Sequence, residues 1–290
     1  MKPALWQLYL ILSLAIGVIS TAAILIVLAE APPLAIAAYR MALASLLLLP
    51  WSWKTGGVKE AWRRLSRRDW GLSLLSGLFL ALHFWAWVSS LKYTSVASAV
   101  MLVTTNPVFV GLGSHFLLRE RLRRLMIWGI GLSVLGGLLI GAGDLRAGSG
   151  ELLGDLLALA GALCSSAYFL IGRRVRQVTS LLSYITIVYG LAALILIGLA
   201  LGTGTALWGY SPLTYGVLLA LALGPQLIGH TGLNWALGYL SAPLIALFIL
   251  GEPVGSTVLA YFVLGQGLSW FKLLGGVLII AGIYLATRAP

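Results

Sequence analysis

Long apolar runs, separated by short polar connectors, fill almost the whole of this 290-residue sequence. A helix of about 20 apolar residues covers the ~30 Å of hydrocarbon in a bilayer. Only 9% of the residues are charged, against roughly 25% in ordinary soluble domains, and nearly all of them fall between the runs. A soluble core cannot absorb so much continuous apolar sequence. The pattern therefore predicts an all-α integral membrane protein that crosses the bilayer several times.

Ten apolar runs can be counted, and we interpret each as a transmembrane helix, or span. They cover residues 5–29, 33–53, 70–90, 94–118, 126–142, 152–172, 181–202, 213–235, 240–264 and 271–287. The first run resembles a secretory signal peptide, because Lys2 precedes it and small residues follow it. Its apolar core is too long for a signal peptide, so we expect a retained helix.

The 19 Lys and Arg residues divide unequally between the two sides of a ten-span chain. Fifteen lie on the side of both termini, in clusters such as residues 63–68, while Arg40 lies within a span. The opposite side has Lys92, Arg146 and Lys272. Basic connectors are retained in the cytoplasm, so we expect cytoplasmic termini and a bacterial inner (plasma) membrane location.

The formal charge of +11 could also indicate nucleic-acid binding. Nucleic-acid-binding proteins present their basic residues on the face of a folded domain. Here the basic residues lie in short connectors, so the charge indicates membrane topology and we expect no nucleic-acid partner.

A shift of 146 residues superposes one half of the sequence on the other, and we call this offset the repeat shift. Six pairs of identical residues result, namely Tyr93–Tyr239, Ser95–Ser241, Pro107–Pro253, Leu118–Leu264, Gly129–Gly275 and Gly136–Gly282. Each half, residues 1–146 and 147–290, holds five spans, an odd number, so the second half must be inverted in the membrane. Inverted repeats are typical of secondary transporters, whose substrate site lies between the halves. The sequence therefore predicts ten helices in two inverted five-helix repeats around a central cavity.

Several segments resemble the EamA-type transporters of the drug/metabolite transporter superfamily. They are NPVFVGLGSHFLL, EPVGSTVLAYFVL, the glycine-rich WGIGLSVLGGLLI and LLGGVLIIAGIYL, and PPLAIAAYRMALASLLLL, in which Arg40 matches a basic residue usual in the second span. The resemblance implies ten helices, alternating access, export, and a cavity lined mainly by spans one, three, four, six, eight and nine. It also implies acidic residues near the ends of spans four and nine, where this sequence has Glu120 and Gln266.

Glu252 lies inside the ninth span, about 18 Å along the helix from Leu240 and so near mid-membrane. An ionised carboxylate in hydrocarbon is costly, so this one must border protein or water. Pro253 follows it, and a proline kink would free backbone carbonyls nearby. We interpret Glu252 as a proton carrier or as the partner of a substrate ammonium. The alternative is a structural carboxylate, bonded to span eight or paired with Arg40.

Span eight carries Gln226, His230 and Asn234 at positions i, i+4 and i+8, which lie on one helical face. A polar stripe on a membrane helix must face protein or water. Lining of the cavity and hydrogen bonding between helices explain this stripe equally well. His230 is also a candidate for coupling to protons, because histidine titrates near neutral pH.

Aromatic and small polar residues supply the remaining binding candidates. His83 and Trp87 share a face of span three, and aromatic rings in a cavity stack on flat solutes or engage cations. The candidates in this group are His83, Trp87, Trp235, Ser98 and Asn106. The alternatives are interfacial anchoring for the tryptophans and plain helix packing for the small polar residues.

Three residues are assigned structural roles, namely Arg40, Pro107 and Pro253. Arg40 lies only a short way inside its span, so it could extend towards the external surface or bond to carbonyls or a carboxylate. The glycine-rich spans five and ten are expected to pack closely against each other and to line no cavity.

The sequence thus favours a secondary transporter, acting as a monomer, for small metabolites such as amino acids or amphipathic organic compounds. Protons are a candidate coupling ion. A facilitative carrier or an uptake permease remains open. A channel is less favoured because no filter loop or ring of like charge is visible. An intramembrane enzyme is less favoured because no nucleophile–base pair is recognisable, and no metal or cofactor is expected.

Overall fold

The computed structural model describes residues 3–94, 96–119, 122–145, 152–264 and 270–288. The helices of the first half are α1 (Leu5–Ile19), α2 (Ala22–Leu28), α3 (Pro33–Lys54), α4 (Gly57–Arg64), α5 (Arg67–Tyr93), α6 (Val96–Val103), α7 (Asn106–Leu117) and α8 (Arg124–Leu145). Those of the second half are α9 (Leu152–Val175), α10 (Leu181–Gly202), α11 (Pro212–Leu221), a π-helical segment (Ala222–His230), α12 (Thr231–Ala236), α13 (Ala242–Ile249), α14 (Gly251–Leu264) and α15 (Trp270–Thr287).

Seven helical stretches in the described part of the chain are long and apolar enough to cross a membrane, by length and composition. They are Leu5–Leu28, Pro33–Lys54, Arg67–Tyr93, Leu152–Val175, Leu181–Gly202, Pro212–Ala236 and Ala242–Val263. Two shorter apolar helices, Arg124–Leu139 and Leu273–Ala286, coincide with the predicted spans five and ten. Span four corresponds to α6 and α7. The prediction of an all-α protein with several membrane-crossing helices is confirmed.

Large apolar side chains cover the outside of the helical bundle. Leu46, Leu194 and Phe262 are 66%, 70% and 77% exposed. Monomeric soluble proteins rarely leave large contiguous apolar patches in water. In a bilayer the same side chains contact acyl chains, so this surface fits a membrane-embedded protein.

Serine caps set where several helices begin. Ser66 accepts a hydrogen bond from the Asp69 amide at 3.2 Å, and the Asp69 carboxylate accepts one from the Ser66 amide at 3.3 Å. This reciprocal arrangement satisfies amides that have no partner inside the helix. It explains why α5 begins at Arg67, before the apolar run that predicted a start at residue 70. Ser180 and Ser211 cap α10 and α11 by a single such bond.

The glycine-rich helices α8 and α15 pack against each other in opposite directions. A Cβ atom on Gly129 would lie 2.6 Å from the Gly282 carbonyl oxygen, and one on Gly136 would lie 2.5 Å from that of Gly275. Such distances leave no room for a side chain, so the contact depends on glycine. Small residues allow this close backbone approach in membrane helices. The predicted packing of spans five and ten is confirmed.

Three of the predicted spans are interrupted in their interior. The interruptions lie between α1 and α2, between α6 and α7 and between α13 and α14, at residues 20–21, 104–105 and 250. Pro253 lies in the first turn of α14, where a backbone N–H would have no partner in any case. The predicted kink beside Glu252 is therefore a break at residue 250, just before the carboxylate.

A π-helical segment replaces regular α-helix in the middle of span eight. Pro225 lies inside this segment, Ala222–His230, and a proline both lacks an amide donor and clashes with the preceding turn. Hydrogen bonds in a π-helix run from i to i+5, and such segments are frequent at functional sites. The face shared by Gln226, His230 and Asn234 is therefore not the one that a regular α-helix would give.

Side chains at the end of α9 and just beyond it are bonded to the end of α12. The Arg173 Nη1 atom donates to the Leu237 carbonyl at 2.9 Å, and the Arg176 Nε atom donates to the Asn234 carbonyl at 3.1 Å. Gln177 Nε2 reaches the Gly238 carbonyl at 3.5 Å. The last carbonyls of a helix have no internal partner, so these donors satisfy them. We refer to this group of contacts as the α9–α12 closure.

Candidate functional site

A buried polar cavity lies where the interrupted helices meet. Its polar and aromatic lining includes Arg40, His83, Trp87, Asn106, His230 and Glu252. All six are buried, and they come from α3, α5, α7, the π-helical segment and α14. The structure thus brings five of the predicted binding residues together with Arg40, which the sequence had assigned a structural role.

The cavity has a volume of about 40 Å³. A water molecule needs roughly 10–15 Å³ of such space, so the cavity holds only a few waters in this conformation. A larger solute requires side chains or helix halves to move apart. The helix interruptions beside the cavity supply places where such movement is possible.

Glu252 is the acidic residue of this lining. It lies in the first turn of α14 and is buried. Its backbone carbonyl accepts a bond from the Ser20 Oγ atom at 3.4 Å. Among the hydrogen bonds of the described chain, none joins its carboxylate to a span-eight side chain or to Arg40. The structural alternative therefore has no direct hydrogen bond behind it among the described residues, although Arg40 lies in the same cavity lining as Glu252.

Arg40 is held in place by two contacts. Its Nε atom donates to the Gln226 Oε1 atom at 2.9 Å, and its guanidinium carbon lies 4.2 Å from the centre of the Phe84 ring. The residue is 1% exposed, so the expectation that it could extend to the external surface was wrong. The reason is that Phe84 and Gln226 provide a cation–π contact and an acceptor inside the bundle.

Two histidines and a tryptophan form the aromatic part of the lining. The ring planes of His83 and Trp87 are stacked, with centroids 6.3 Å apart, and the His83 and His230 centroids are 6.5 Å apart. The His83 Nδ1 atom bonds to the Gly161 carbonyl at 2.9 Å. The Trp87 Nε1 and His230 Nδ1 atoms have no partner among the described residues, so both are available to a polar solute.

The other members of the span-eight stripe do not line the cavity themselves. Gln226 reaches it only through its bond to Arg40. Asn234 donates to the Tyr168 and Tyr189 hydroxyls and to the His230 carbonyl. Asn234 therefore joins helices, as the packing alternative stated, and it is not among the residues that line the cavity in this conformation.

Asn106 occupies the first position of α7 and bonds to α9. Its Nδ2 atom donates to the Ser165 Oγ atom at 3.3 Å, and the Ser166 Oγ atom donates to its carbonyl at 3.3 Å. Pro107 follows in the first turn, where its missing N–H costs nothing. Pro107, for which a structural role was predicted, thus lies at the start of a helix.

The remaining candidates lie elsewhere. Trp235 is half-buried outside the cavity lining and packs on Tyr239, with ring centroids 5.1 Å apart. The side chain of Ser98 lies outside the described part of the structure, as do Glu120 and Gln266.

Phe84, Ser165 and Pro225 are site residues that the sequence did not single out. Phe84 and Ser165 line the cavity, and Pro225 lies in the π-helical segment. A proline inside a predicted membrane helix is a visible signal of irregular backbone. The repeat shift, applied to His230, would have pointed to Phe84.

The polar side chains of the lining can form hydrogen bonds and ion pairs with a solute. The lining offers a carboxylate, a guanidinium, two imidazoles, an amide and an indole N–H in one enclosed space. In the part of the chain that the structure describes, no three His, Cys, Asp or Glu side chains form a group able to hold a metal ion.

Comparisons with known proteins fit this architecture. The sequence profile of the EamA-like transporter family matches residues 4–142 and 152–288. A protein of Archaeoglobus fulgidus named an uncharacterized transporter is 29% identical over 265 residues, covering 89% of each chain. The Bacillus subtilis protein named uncharacterized transporter YyaM is 26% identical over 266 residues, covering 88% of this chain and 84% of its own. One crystal structure superposes with a TM-score of 0.78 at 23% identity, covering 98% of this chain and 97% of its own, and so shares the fold.

Membrane-crossing helices around an enclosed polar cavity define the class of multi-pass membrane transporters. Within that class, the chain belongs to the EamA-like transporter family.

Proposed function

We propose that the protein is a secondary active transporter that exports small metabolites, such as amino acids or amphipathic organic compounds, by alternating access coupled to protons at Glu252. The observation that carries this proposal is the enclosed cavity, which holds one buried carboxylate and lies at the breaks of three membrane helices. Discontinuous helices beside a mid-membrane site are typical of secondary transporters.

The arrangement around the cavity supports two inverted five-helix halves, residues 1–146 and 147–290. Most of the lining residues form pairs whose members are related by the repeat shift, namely Ile19–Ser165, Phe84–His230, Trp87–Leu233, Val103–Ile249 and Asn106–Glu252. A pseudo-two-fold axis through the cavity would produce such pairs. The two segments that match the family profile fall one in each proposed half.

Two reciprocal sets of contacts support the same symmetry. Ser20 bonds to the Glu252 carbonyl, and Ser166 bonds to the Asn106 carbonyl. The repeat shift relates Ser20 to Ser166 and Asn106 to Glu252, so the two bonds are counterparts. In α8 and α15, Gly129 approaches Gly282 while Gly136 approaches Gly275, and the partners exchange under the same shift. Each half therefore makes the same contacts to the other half as the other half makes to it.

Alternating access is supported by a difference between the two ends of the molecule. At one end Gln177 and Gly238 take part in the α9–α12 closure. The repeat shift relates these two residues to Ala31 and Lys92, which instead line a cavity of about 420 Å³ between α2 and α5. The hydrogen bond that joins the first two residues thus corresponds to a depression of the surface at the related place in the other half. Exchange of the two arrangements would expose the central cavity to opposite sides in turn.

We propose that Glu252 carries the coupling proton. Burial disfavours the charged form of a carboxylate, and either a proton or a cationic group on the solute relieves that cost. The charged and titratable side chains that face it across the cavity are Arg40, His83 and His230. If proton and cationic group compete for Glu252, an inward proton gradient drives the solute outward.

The membrane orientation follows from the basic connectors. We propose that both termini and the α9–α12 closure lie in the cytoplasm and that the protein lies in a bacterial inner membrane, acting as a monomer. In this orientation the open cavity beside Ala31 and Lys92 faces outward. Export as the direction of transport rests on the family resemblance.

The first prediction concerns Glu252→Gln, which keeps the shape of the side chain but removes its charge. In proteoliposomes under an imposed pH gradient, the wild type should concentrate at least one radiolabelled amino acid or amphipathic organic cation. The Gln variant should show no accumulation above protein-free liposomes. Glu30→Gln is the matched control, because Glu30 is an exposed carboxylate and its loss should leave transport unchanged.

Other outcomes favour the alternatives. A Gln variant that still concentrates solute with wild-type pH dependence would make Glu252 structural and place the coupling elsewhere. Wild-type protein that equilibrates solute without concentrating it would be a facilitative carrier. Flux without saturation or counterflow would indicate a channel.

A further inference from the structure

The Arg40 guanidinium is fixed along one edge and across one face. Its Nε atom is bonded to Gln226 at 2.9 Å, and the Phe84 ring lies 4.2 Å from its central carbon. Because the group is planar, these two contacts set both its position and its orientation. Little conformational entropy remains to be lost when a further partner binds.

The opposite edge of the guanidinium has no hydrogen-bond partner among the described residues. Neither the Nη1 nor the Nη2 atom of Arg40 is hydrogen-bonded to any described residue, although both atoms are buried. An arginine carries five N–H donors and no acceptor. A buried charged donor without an acceptor is costly, so the two free nitrogens favour an incoming acceptor. Arg40 also belongs to the lining of the central cavity.

We propose that Arg40 is a substrate-binding residue that holds a carboxylate group of the transported solute on its Nη1 and Nη2 atoms, a proposal that rests on the transport function above. Two parallel N–H donors match the two oxygens of a carboxylate. One guanidinium neutralises one negative charge, and Glu252 already supplies a carboxylate to this cavity. A dianionic phosphate would therefore leave excess negative charge, so a carboxylate fits better.

The presence of Glu252 restricts how the carboxylate is carried. If Glu252 were ionised, its charge would disfavour a second carboxylate in the same small cavity. The balance is restored by a positive group on the solute, because a proton bound together with the solute would move in the same direction and oppose the proton-driven export proposed above. The bound species is thus a zwitterion, which presents its carboxylate to Arg40 and its ammonium to Glu252.

Matched ligand pairs test the proposal in purified, detergent-solubilised protein. The probes are propanoate with propanamide, benzoate with benzamide, and L-alanine and L-phenylalanine with their amides, so that each pair differs mainly in the carboxylate. At least one carboxylate should raise the Tm of the wild type, and its amide should not. Binding of the simple acids as well as the zwitterions would place a proton on Glu252 alongside the solute and would contradict the proton exchange proposed above. Binding of the zwitterions alone indicates balance by the ammonium group.

Variants of Arg40 assign the effect to this side chain. Arg40→Lys keeps the positive charge but loses the paired donors, so Kd for the active carboxylate should rise at least about tenfold. Arg40→Gln should lose the carboxylate–amide difference altogether. Arg174→Gln is the control, because Arg174 is exposed and its loss should leave Kd unchanged. If Arg40→Gln does not give a monodisperse protein, Arg40→Lys alone decides.

Three results would overturn the proposal, namely binding of no carboxylate, equal binding of an amide, or wild-type Kd in Arg40→Lys. A transport assay with the same probes separates this failure from that of the proposed function. Proton-driven accumulation of a probe without a carboxylate would leave the transporter in place and remove the role of Arg40. Carboxylate binding that depends on Arg40, without transport of any probe, would support the role of Arg40 and contradict the proposed transport function.

Discussion

At the scale of single residues, similar polar side chains on one segment perform different tasks. His230 and Asn234 are four residues apart and both buried. His230 borders the cavity, and its Nδ1 atom has no hydrogen-bond partner among the described residues. The side-chain amide of Asn234 instead donates hydrogen bonds to the Tyr168 and Tyr189 hydroxyls. Interhelical hydrogen bonds in membrane proteins contribute about 0.6 kcal/mol on average and up to about 1.7 kcal/mol. The two residues should therefore separate binding from stability.

We predict opposite effects for two alanine variants. Asn234→Ala should lower the free energy of unfolding by about 1 to 2 kcal/mol and leave transport per folded molecule near the wild-type rate. His230→Ala should change unfolding little and weaken transport. Thermal unfolding in detergent and initial rates in proteoliposomes measure the two quantities. Equal loss of stability in both variants, with normal transport, would show that His230, like Asn234, serves only helix packing.

At the scale of elements, the contact of α8 with α15 and the helix interruptions beside the cavity have different purposes. The glycine contacts bring two backbones together and leave no room for adjustment. The interruptions at residues 20–21, 104–105 and 250 lie where the helix halves border the cavity. The alternating access proposed above requires helices that stay packed together away from the site. It also requires helices that can move at the site, where the breaks lie.

We predict that two glycines in α8 respond differently to alanine. In Gly136→Ala the new methyl would lie 2.5 Å from the Gly275 carbonyl oxygen, and overpacking of this kind costs about 1 to 3 kcal/mol. In Gly131→Ala nothing lies within 4 Å of the new atom, so the better helix propensity of alanine should leave stability equal or slightly higher. Thermal unfolding of the two variants is the measurement, and equal melting temperatures would contradict the described contact.

At the scale of the whole molecule, the sequence predicted the helical membrane architecture and named five of the residues that line the cavity. Apolar runs and a buried carboxylate are local signals, so Glu252, His83 and His230 could be found without coordinates. The role of Arg40 could not, because it depends on Phe84 and Gln226, which reach it from other helices. The bonds of Asn234 to Tyr168 and Tyr189 could not be found either, because these partners also come from other helices.

Under the alternating access proposed above, the two unequal ends of the molecule exchange their arrangements. The α9–α12 closure and the open space between α2 and α5 occupy corresponding places in the two halves. In a transport cycle the closed end must open and the open end must close. A channel has no such requirement, because both ends of its path are open at once.

Cross-linking of the two ends tests this central claim most directly. In a Cys164→Ala background, which removes the single native cysteine, Gln177→Cys with Gly238→Cys spans the closed end. Ala31→Cys with Lys92→Cys, the counterparts of that pair under the repeat shift, spans the corresponding place at the open end. We predict that a short thiol-reactive cross-linker joins the first pair readily and stops transport in proteoliposomes, and that cleaving the linker restores it. The second pair should cross-link faster under transport conditions and likewise stop transport. Wild-type transport rates with both ends cross-linked would contradict alternating access through this cavity.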